Sequence, residues 1–213
     1  KCKNMFTLGM ACFIYSRPLE YIYDYIEKKF GKKHPEMIAP NRKVVFDGFN
    51  YASNIQAVAD TYRVAPARLE AGTYRNITGN QAAAWGLIAA AEKSGLPLFC
   101  GSYPITPATS ILEELAIHKY LNVKTMQTED EIAGICCAIG AAFAGNLAVT
   151  TTSGPGLSLK SEALGLAVMT ELPLVVIDVQ RAGPCTGMPT KTEQADLNEA
   201  LYGRNGESPM VVI

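Results

Sequence analysis

The chain has 213 residues, of which 48% are hydrophobic, and its formal net charge at pH 7 is -1. This length and apolar content allow at least one substantial core, and the near-neutral charge gives no electrostatic reason to bind nucleic acid. The sequence contains no run of 18 apolar residues, and its N-terminal apolar segment is too short and interrupted for a secretory signal. We therefore predict a cytoplasmic globular protein with no membrane partner.

Six cysteines lie at positions 2, 12, 100, 136, 137 and 185. Only Cys136 and Cys137 are close in sequence, and neither a pair of CxxC motifs nor an iron–sulfur ligand run is present. We interpret the cysteines as free buried thiols. Catalysis by Cys185 is disfavoured because the two histidines, His34 and His118, are both distant from it in the sequence.

The first 50 residues are rich in aromatic side chains. Residues 16–31 predict a helix, with Ser16 as a candidate N-cap and Gly31 at its end. The following segment, KKHPEMIAPNRK, is polar and interrupted by proline. Residues 51–77 show no sustained periodicity, so we predict a linker there, with a domain boundary near Gly72 to Gly79. The chain begins with Lys1 and ends in the apolar segment ESPMVVI, which predicts a fragment of a longer polypeptide.

From residue 78 onward, helical stretches alternate with short apolar runs. Strands are predicted within 96–105, 122–127, 147–153 and 172–180, and helices within 81–95, 106–120, 128–145 and 157–171. Continuous apolar strands separated by helices predict a parallel sheet covered on both faces, with the last strand, LPLVVIDVQ, buried. Ligands of such sheets bind beyond the carboxyl ends of the strands. The candidate binding loops are therefore 102–107, 127–131, 153–156 and 180–191.

Two of these loops contain residues that also fit a capping role. Thr106 in GSYPITP can cap a helix that begins at Pro107, face the cleft, or do both. Thr128 and Glu131 have the spacing of a capping box. The helix after Glu131 contains Gly134, Gly140 and Gly145, which lower helix propensity and predict a close approach by another helix or by a flat ligand.

The segment TTTSGPGLSLKSE, residues 150–162, has glycines followed by a lysine and a serine, as in a phosphate-binding loop. However, Lys160 follows Leu159 rather than a glycine, so the nucleotide phosphate motif is absent. We predict a strand, a tight turn at Gly154 to Gly156 and a helix with Lys160 on its surface. The glycines would then allow close backbone approach in a binding cleft.

Arg181 leaves the last predicted strand and precedes a rigid segment rich in glycine and proline. An arginine in this position can clamp a carboxylate through paired charge-assisted hydrogen bonds. The structural alternative is a salt bridge with Glu193 or Asp196. The residues alone leave both interpretations open.

Four segments in order, YPITP, EDEIA with the helix AIGAAFAG, TTTSGPGLSLKSE and DVQRAGPCTGMPTKTEQADL, resemble the α subunit of the 2-oxoacid:ferredoxin (acceptor) oxidoreductases, and most of all its 2-oxoglutarate branch. The resemblance covers residues 78–213. The segment KNMFTLGMACFIYSRPLEYIYDYIEKKF resembles the end of the γ domain that some members carry fused ahead of α.

The resemblance implies an α/β fold. A parallel doubly wound sheet of the thiamine diphosphate-binding, pyrimidine-side type is expected in residues 78–213, as a C-terminally truncated domain. A mainly helical tail of a γ domain is expected in residues 1–50, with the linker at 51–77 between them.

The resemblance also implies oxidative decarboxylation of a 2-oxoacid, 2-oxoglutarate in this branch, to its acyl-CoA, with ferredoxin as the electron acceptor. Thiamine diphosphate would be shared with a β subunit, which would carry Mg²⁺ and a 4Fe–4S cluster, so the chain would be active only with that subunit. The alternatives are a pyruvate or branched-chain 2-oxoacid enzyme and a non-catalytic assembly domain. A dinucleotide-binding oxidoreductase is disfavoured because no GxGxxG follows a strand.

The same resemblance implies roles for single residues. In thiamine diphosphate enzymes, a glutamate at the start of a helix hydrogen-bonds the pyrimidine N1′ and commonly lies nine residues before a glycine. Glu131 has this spacing to Gly140, and Glu129 is the alternative. The implied substrate-binding residues are Thr106, Arg181 and Thr190, and the implied cofactor-binding residues are Tyr103, Pro104, Ser153 and Gly154. Ala182 and Cys185 stand where the family usually has Gly and Ser, which bears on specificity more than on chemistry.

Overall fold

The computed structural model describes residues 3–55 and 60–213 of the chain. The chain divides into two compact units, Lys1–Thr73 and Tyr74–Ile213. Among the described residues, no helix combines the length and the apolar character needed to cross a membrane.

The first unit is helical, as expected for the N-terminal region. Its helices are α1 (Lys3–Ile14), α2 (Glu20–Phe30) and α3 (Ile38–Asn54), with a short 3₁₀ turn at Pro35–Met37. Helices α1 and α3 approach each other closely at two glycines. A Cβ at Gly9 would collide with the carbonyl oxygen of Val45, and one at Gly48 with that of Phe6. The helix-to-helix distance therefore requires glycine at both positions.

Two predictions for the first unit were wrong in detail. Helix α2 begins at Glu20, four residues later than predicted, and Ser16 has φ 49° and does not cap it. Gly31 is the C-cap, as predicted. Helix α3 was missed and extends into the start of the predicted linker. It contains Pro40, which lies in its first turn, where proline removes no intrahelical hydrogen bond.

The second unit alternates helices and strands in the predicted order. Its elements are α4 (Gly79–Ser94), β1 (Leu98–Ser102), α5 (Thr109–Ile117), β2 (Val123–Gln127), α6 (Glu131–Phe143), β3 (Leu147–Thr152), α7 (Pro155–Met169), β4 (Val175–Asp178) and α8 (Leu197–Tyr202). The four strands are parallel, in the order β2-β1-β3-β4. Leu98 lies opposite both Val123 and Leu147, which fixes the register of β1 against its two neighbours, β2 and β3.

Helices cover both faces of this sheet, so the predicted doubly wound fold is confirmed. On one face, α4 and α5 pack on alternate strand residues, including Leu98, Cys100 and Val149. On the other face, α6 packs on Ala148, and α7 joins α6 in a second apolar cluster. The prediction that the last strand is buried was wrong. Strand β4 lies at the edge of the described sheet, and Val175 is 37% exposed.

The three glycines in and just after α6 have different surroundings. Gly134 packs against β1, since a Cβ there would lie 3.3 Å from Ser102 Cα and 3.4 Å from Gly101 O. A strand, rather than a helix or a ligand, therefore makes the predicted close approach. Gly140 faces open space, and Gly145, with φ 82°, follows the end of the helix. At these two positions the structure shows no close neighbour.

The strand order places a crevice between β1 and β3. The chain passes from β1 to β2 on one side and then crosses to β3 on the other side of β1. The loops that follow β1 and β3 consequently lead to helices on opposite faces of the sheet. Open parallel sheets bind ligands at this kind of switch point.

Candidate functional site

The four loops singled out in the sequence follow the carboxyl ends of the four strands. These ends are Ser102, Gln127, Thr152 and Asp178. Because the strands are parallel, their carboxyl ends lie at one edge of the sheet. The loops therefore form one candidate site.

Glu131 is the first residue of α6, and a different residue caps this helix. The Asp130 carboxylate accepts a 2.7 Å hydrogen bond from the Ala133 N–H. The predicted capping box of Thr128 and Glu131 was wrong because Thr128 N–H already donates to Ser102 O at 3.1 Å, and its hydroxyl donates to Asp130 O at 2.8 Å. The Glu131 side chain is thus not used for capping.

Burial separates the two glutamates that the sequence left as alternatives. Glu131 is 9% exposed, whereas Glu129 is exposed. The Glu131 side chain lies over Gly156, where a Cβ would come 3.0 Å from Cγ and 3.4 Å from Oε1. No donor within the described residues hydrogen-bonds this carboxylate. The structure therefore holds a buried carboxylate that is free to bind a ligand.

The turn after β3 lies between Glu131 and Arg181. Gly154 adopts φ 42°, a conformation that favours glycine, and a Cβ there would lie 3.6 Å from Arg181 Cγ. The hydroxyl oxygens of Thr152 and Ser153 are fully buried and have no hydrogen-bond partner within the described chain. Buried hydroxyls are normally paired, so these two are candidates to contact a ligand or partner.

Arg181 connects three of the loops. Its guanidinium donates from Nη1 to Thr106 O at 2.8 Å and from Nη2 to Thr186 O at 2.7 Å. Nε is buried without an acceptor within the described residues, and the side chain is 5% exposed. The alternative salt bridge with Glu193 or Asp196 is not formed. Arg181 therefore keeps an unused Nε–H beside the turn at Gly154.

The remaining predicted residues lie on the same loops with more exposed side chains. Tyr103 and Pro104 follow β1, and Thr106 is exposed with its carbonyl bound by Arg181. Thr106 does not cap α5, because that helix begins at Thr109 after Ala108. The Thr106–Pro107 peptide bond is cis. Thr190 is exposed in the loop that carries Arg181. The structure thus gathers Glu131, Ser153, Gly154, Arg181 and the Thr106 backbone, and leaves Thr190 at the rim.

Sequence reasoning missed two acidic residues at this edge. Burial and a hydrogen bond with Asp196 raise the pKa of Asp178 to about 7. Oδ1 of Asp178 and Oδ2 of Asp196 have no conventional donor within the described residues, so the hydrogen bond between the carboxyl groups requires a shared proton. The signal in the sequence was a carboxyl residue that closes an apolar strand.

The assignment of Lys160 to the helix surface was wrong. Lys160 is 0% exposed, and its Nζ donates a 2.7 Å hydrogen bond to Glu131 O. The spacing of the α7 core residues predicts this position, because Lys160 lies three residues after Leu157 and four before Leu164. Because Lys160 is charged, it was assigned to the surface although its spacing matches the apolar stripe of α7.

Among the described residues, no cysteine forms a pair with a histidine. His118 hydrogen-bonds Glu114 at 3.3 Å and Tyr120 at 3.1 Å, and His34 pairs with Glu36. The described cysteines are free, but Cys136 and Cys185 are exposed, so the prediction of buried thiols holds only in part. No group of three potential metal ligands occurs within residues 3–55 and 60–213.

Residues 90–213 match the family model described as pyruvate flavodoxin/ferredoxin oxidoreductase, thiamine diphosphate-binding. Over its full length the chain is 58% identical to the 2-oxoglutarate oxidoreductase subunit KorA of Mycobacterium tuberculosis and covers 32% of that protein. It is 48% identical over 139 residues, 64% of the chain and 38% of the relative, to the 2-oxoglutarate synthase subunit KorA of Archaeoglobus fulgidus. The chain thus spans about a third of the length of these curated relatives.

A solved structure is similar to nearly the whole chain. It is a 2-oxoglutarate:ferredoxin oxidoreductase from Magnetococcus marinus with 2-oxoglutarate, coenzyme A and succinyl-CoA bound. The TM-score is 0.69 at 41% sequence identity, and the match covers 98% of this chain and 35% of the other.

Proposed function

Because the chain belongs to the pyruvate flavodoxin/ferredoxin oxidoreductase family of thiamine diphosphate-binding domains, we propose that it forms the pyrimidine-side half of the cofactor site in a 2-oxoacid:ferredoxin oxidoreductase. The single observation that supports this most is the Glu131 carboxylate. It is buried at the start of α6, lies against Gly156 and lacks a donor within the described residues.

The residues at this edge of the sheet fit the aminopyrimidine of thiamine diphosphate. Such a ring needs a carboxyl group for N1′ and polar partners near its amino group. Glu131 supplies the first, and the unpaired hydroxyls of Thr152 and Ser153 are available for the second. Gly154 and Gly156 allow the Arg181 and Glu131 side chains, respectively, to lie close against the turn. When bound, thiamine diphosphate supplies the nucleophilic carbon and the electron sink for decarboxylation.

Glu131 would hydrogen-bond the pyrimidine N1′ of bound thiamine diphosphate. A buried carboxylate in contact with this nitrogen would favour its protonated form and so raise the basicity of the 4′-nitrogen. Glu129 is not suited to this role because its side chain is in water, where a hydrogen bond to the ring would compete with solvent.

Arg181 is the proposed partner of the substrate carboxylate, together with Thr106 and Thr190. Two of its N–H groups are used to hold the loop backbones, so the guanidinium is already oriented when substrate enters. The unused Nε–H lies beside the turn at Gly154, where a Cβ would come 3.9 Å from Nε. A pre-oriented arginine loses less side-chain entropy on binding than a free one. Tyr103 and Pro104 form the adjoining wall.

The proposed reaction is oxidation of 2-oxoglutarate with coenzyme A to carbon dioxide and the acyl-CoA, with two electrons passed to ferredoxin. The preference for 2-oxoglutarate is supported by the names of the relatives. We propose that a β subunit completes the site and carries the diphosphate-bound Mg²⁺ and a 4Fe–4S cluster, since the described residues contain no candidate metal cluster. On this proposal the chain alone is inactive.

The test uses the complete gene product that carries this sequence, co-expressed with its β subunit. Oxidation of 2-oxoglutarate and of pyruvate is measured with coenzyme A and a ferredoxin or viologen acceptor. We expect a higher kcat/KM for 2-oxoglutarate, and in Glu131→Ala a loss of kcat of about 100-fold or more at an unchanged melting temperature. The matched control Glu129→Ala should keep its turnover. Retained turnover in Glu131→Ala would favour a non-catalytic assembly domain and refute the proposal.

A further inference from the structure

Lys160 is the largest fully buried side chain of the described residues. It lies on the core face of α7, in line with Leu157 and Leu164. An ammonium group taken out of water is costly unless it is paired, and an apolar side chain of similar volume would often be at least as stable. Packing therefore does not explain why a lysine occupies this position.

Lys160 and the preceding turn of α7 both lie against Glu131. Its Nζ donates a 2.7 Å hydrogen bond to the backbone oxygen of Glu131. One helical turn earlier, Gly156 lies beside the Glu131 side chain, where a Cβ would come 3.0 Å from Cγ and 3.4 Å from Oε1. Successive turns of α7 thus contact both the backbone and the side chain of the first residue of α6. Lys160 and Glu131 are 29 residues apart in sequence.

Nearby acidic groups help the buried ammonium of Lys160 to keep its charge. Burial lowers the pKa of Lys160 to about 8, and the carboxylates of Glu131 and Asp130 act against this shift. The thiols of Cys136 and Cys100 are the other titratable groups that act on it. The N-terminal end of α6 carries a positive partial charge, which disfavours a nearby cation. The two carboxylates therefore offset part of the cost of burial, and the pKa of about 8 leaves the ammonium protonated at pH 7.

We propose that Lys160 is a positioning residue for Glu131. Its ammonium holds the carbonyl of the first residue of α6, and Gly156 receives the side chain, so the Glu131 carboxylate is directed into the crevice at the carboxyl edge of the sheet. This inference rests on the proposed function of Glu131. Lys160 itself has no access to substrate, since its side chain is fully buried.

The test compares Lys160→Met and Lys160→Gln in the complete α/β enzyme. Methionine keeps the volume without a donor, and glutamine keeps a donor without the charge. For Lys160→Met we expect thiamine diphosphate binding weaker by about tenfold and a kcat lower by about tenfold or more, with KM for 2-oxoglutarate within about twofold. The melting temperature should be equal or higher. Lys160→Gln should retain more of both properties, and the exposed control Lys93→Met should match the wild type.

Addition of Lys160→Met to Glu131→Ala separates this inference from the proposed function. If Lys160 acts through Glu131, the second substitution weakens cofactor binding no further. The positioning role is overturned if Lys160→Met weakens cofactor binding equally in the wild-type and Glu131→Ala backgrounds. It is also overturned if Lys160→Met alone keeps wild-type affinity and kcat. Should Lys160→Met fail to fold, Lys160→Gln decides: cofactor affinity and kcat below wild type in the folded variant support the positioning role, and wild-type values of both overturn it. Full activity of Glu131→Ala overturns the proposed function whatever Lys160 does.

Discussion

Gly156 determines where the Glu131 side chain can lie. A Cβ at this position would collide with Thr152 Oγ1 and come 3.0 Å from Glu131 Cγ. Thr152 is fully buried in β3 and has little room to move, so the adjustment falls on Glu131. The absence of a side chain at residue 156 is thus part of the site.

We predict that Gly156→Ala displaces the Glu131 carboxylate and weakens thiamine diphosphate binding by about tenfold or more. Stability should fall as well, by about 1–3 kcal/mol, because a Cβ is forced into a packed contact. Isothermal titration with the cofactor and thermal denaturation of the complete enzyme measure the two effects.

Gly165→Ala is the matched control in the same helix. A Cβ there has no heavy atom within 4 Å, so this variant should be stabilised by up to about 1 kcal/mol through helix propensity and bind the cofactor normally. Equal cofactor affinity in the two alanine variants would contradict the assigned role of Gly156.

At the scale of elements, a carboxyl pair joins the end of β4 to the start of α8. Asp178 is the last residue of β4, and Asp196 precedes Leu197, the first residue of α8. The loop between them carries Arg181 and Thr190. Burial and Asp196 raise the pKa of Asp178 to about 7, with a smaller contribution from Glu199, and a hydrogen bond from Gly154 N–H acts in the opposite direction.

This pair predicts a pH-dependent stability with a definite sign. An unfolded Asp has a pKa of about 3.9, so between about pH 4 and pH 7 the folded protein holds a proton that the unfolded chain has lost. A rise in pH through this window therefore lowers the stability contribution of Asp178. In Asp178→Asn this titration is absent, and the amide can still donate to Asp196.

We expect the melting temperature of Asp178→Asn, relative to wild type, to increase by a few degrees from pH 5 to pH 8. Thermal denaturation at the two pH values measures the difference. Glu129→Gln, which removes an exposed carboxylate, should show no such change. A constant offset of Asp178→Asn at both pH values would contradict a shared proton between Asp178 and Asp196.

At the scale of the whole molecule, the chain divides into two units, and the first of them ends in a segment without regular structure. Residues 60–73 contain neither helix nor strand, and all of them are exposed. Arg63 and Arg68 lie in this segment, whereas most other lysines and arginines lie in helices, in strands or next to them. Proteases cleave exposed backbone that lacks secondary structure most readily.

Limited trypsin digestion of the chain should therefore cut first after Arg63 or Arg68. Intact-mass spectrometry should detect a C-terminal fragment that begins at Val64 or Leu69 and resists further cleavage between α4 and β4. Replacement of both arginines by glutamine should slow the first cut. Early cleavage inside the parallel sheet would show that the second unit is not the more stable one.

Much of the second unit was predictable because short patterns in the sequence specify its helices and strands. Apolar runs of strand length alternate with helical periods, and this alternation determines a parallel sheet covered on both faces. The loops that gather at the carboxyl edge follow from the strand direction alone. Glu131 was selected by its spacing to Gly140, and its burial agrees with that choice, although the glycine itself faces open space. In contrast, α3 was missed because Pro40 was interpreted as a break.

The sequence by itself determined the order of the elements, the family and the loops that form the site. Only the tertiary structure decided the partners of single side chains. Lys160 is buried because α7 turns it toward Glu131, and Arg181 holds Thr106 O from 75 residues away. Asp130 rather than Thr128 caps α6, because the Thr128 N–H is bound to β1. Such contacts join segments that are distant in the chain, so no local pattern of residue types specifies them.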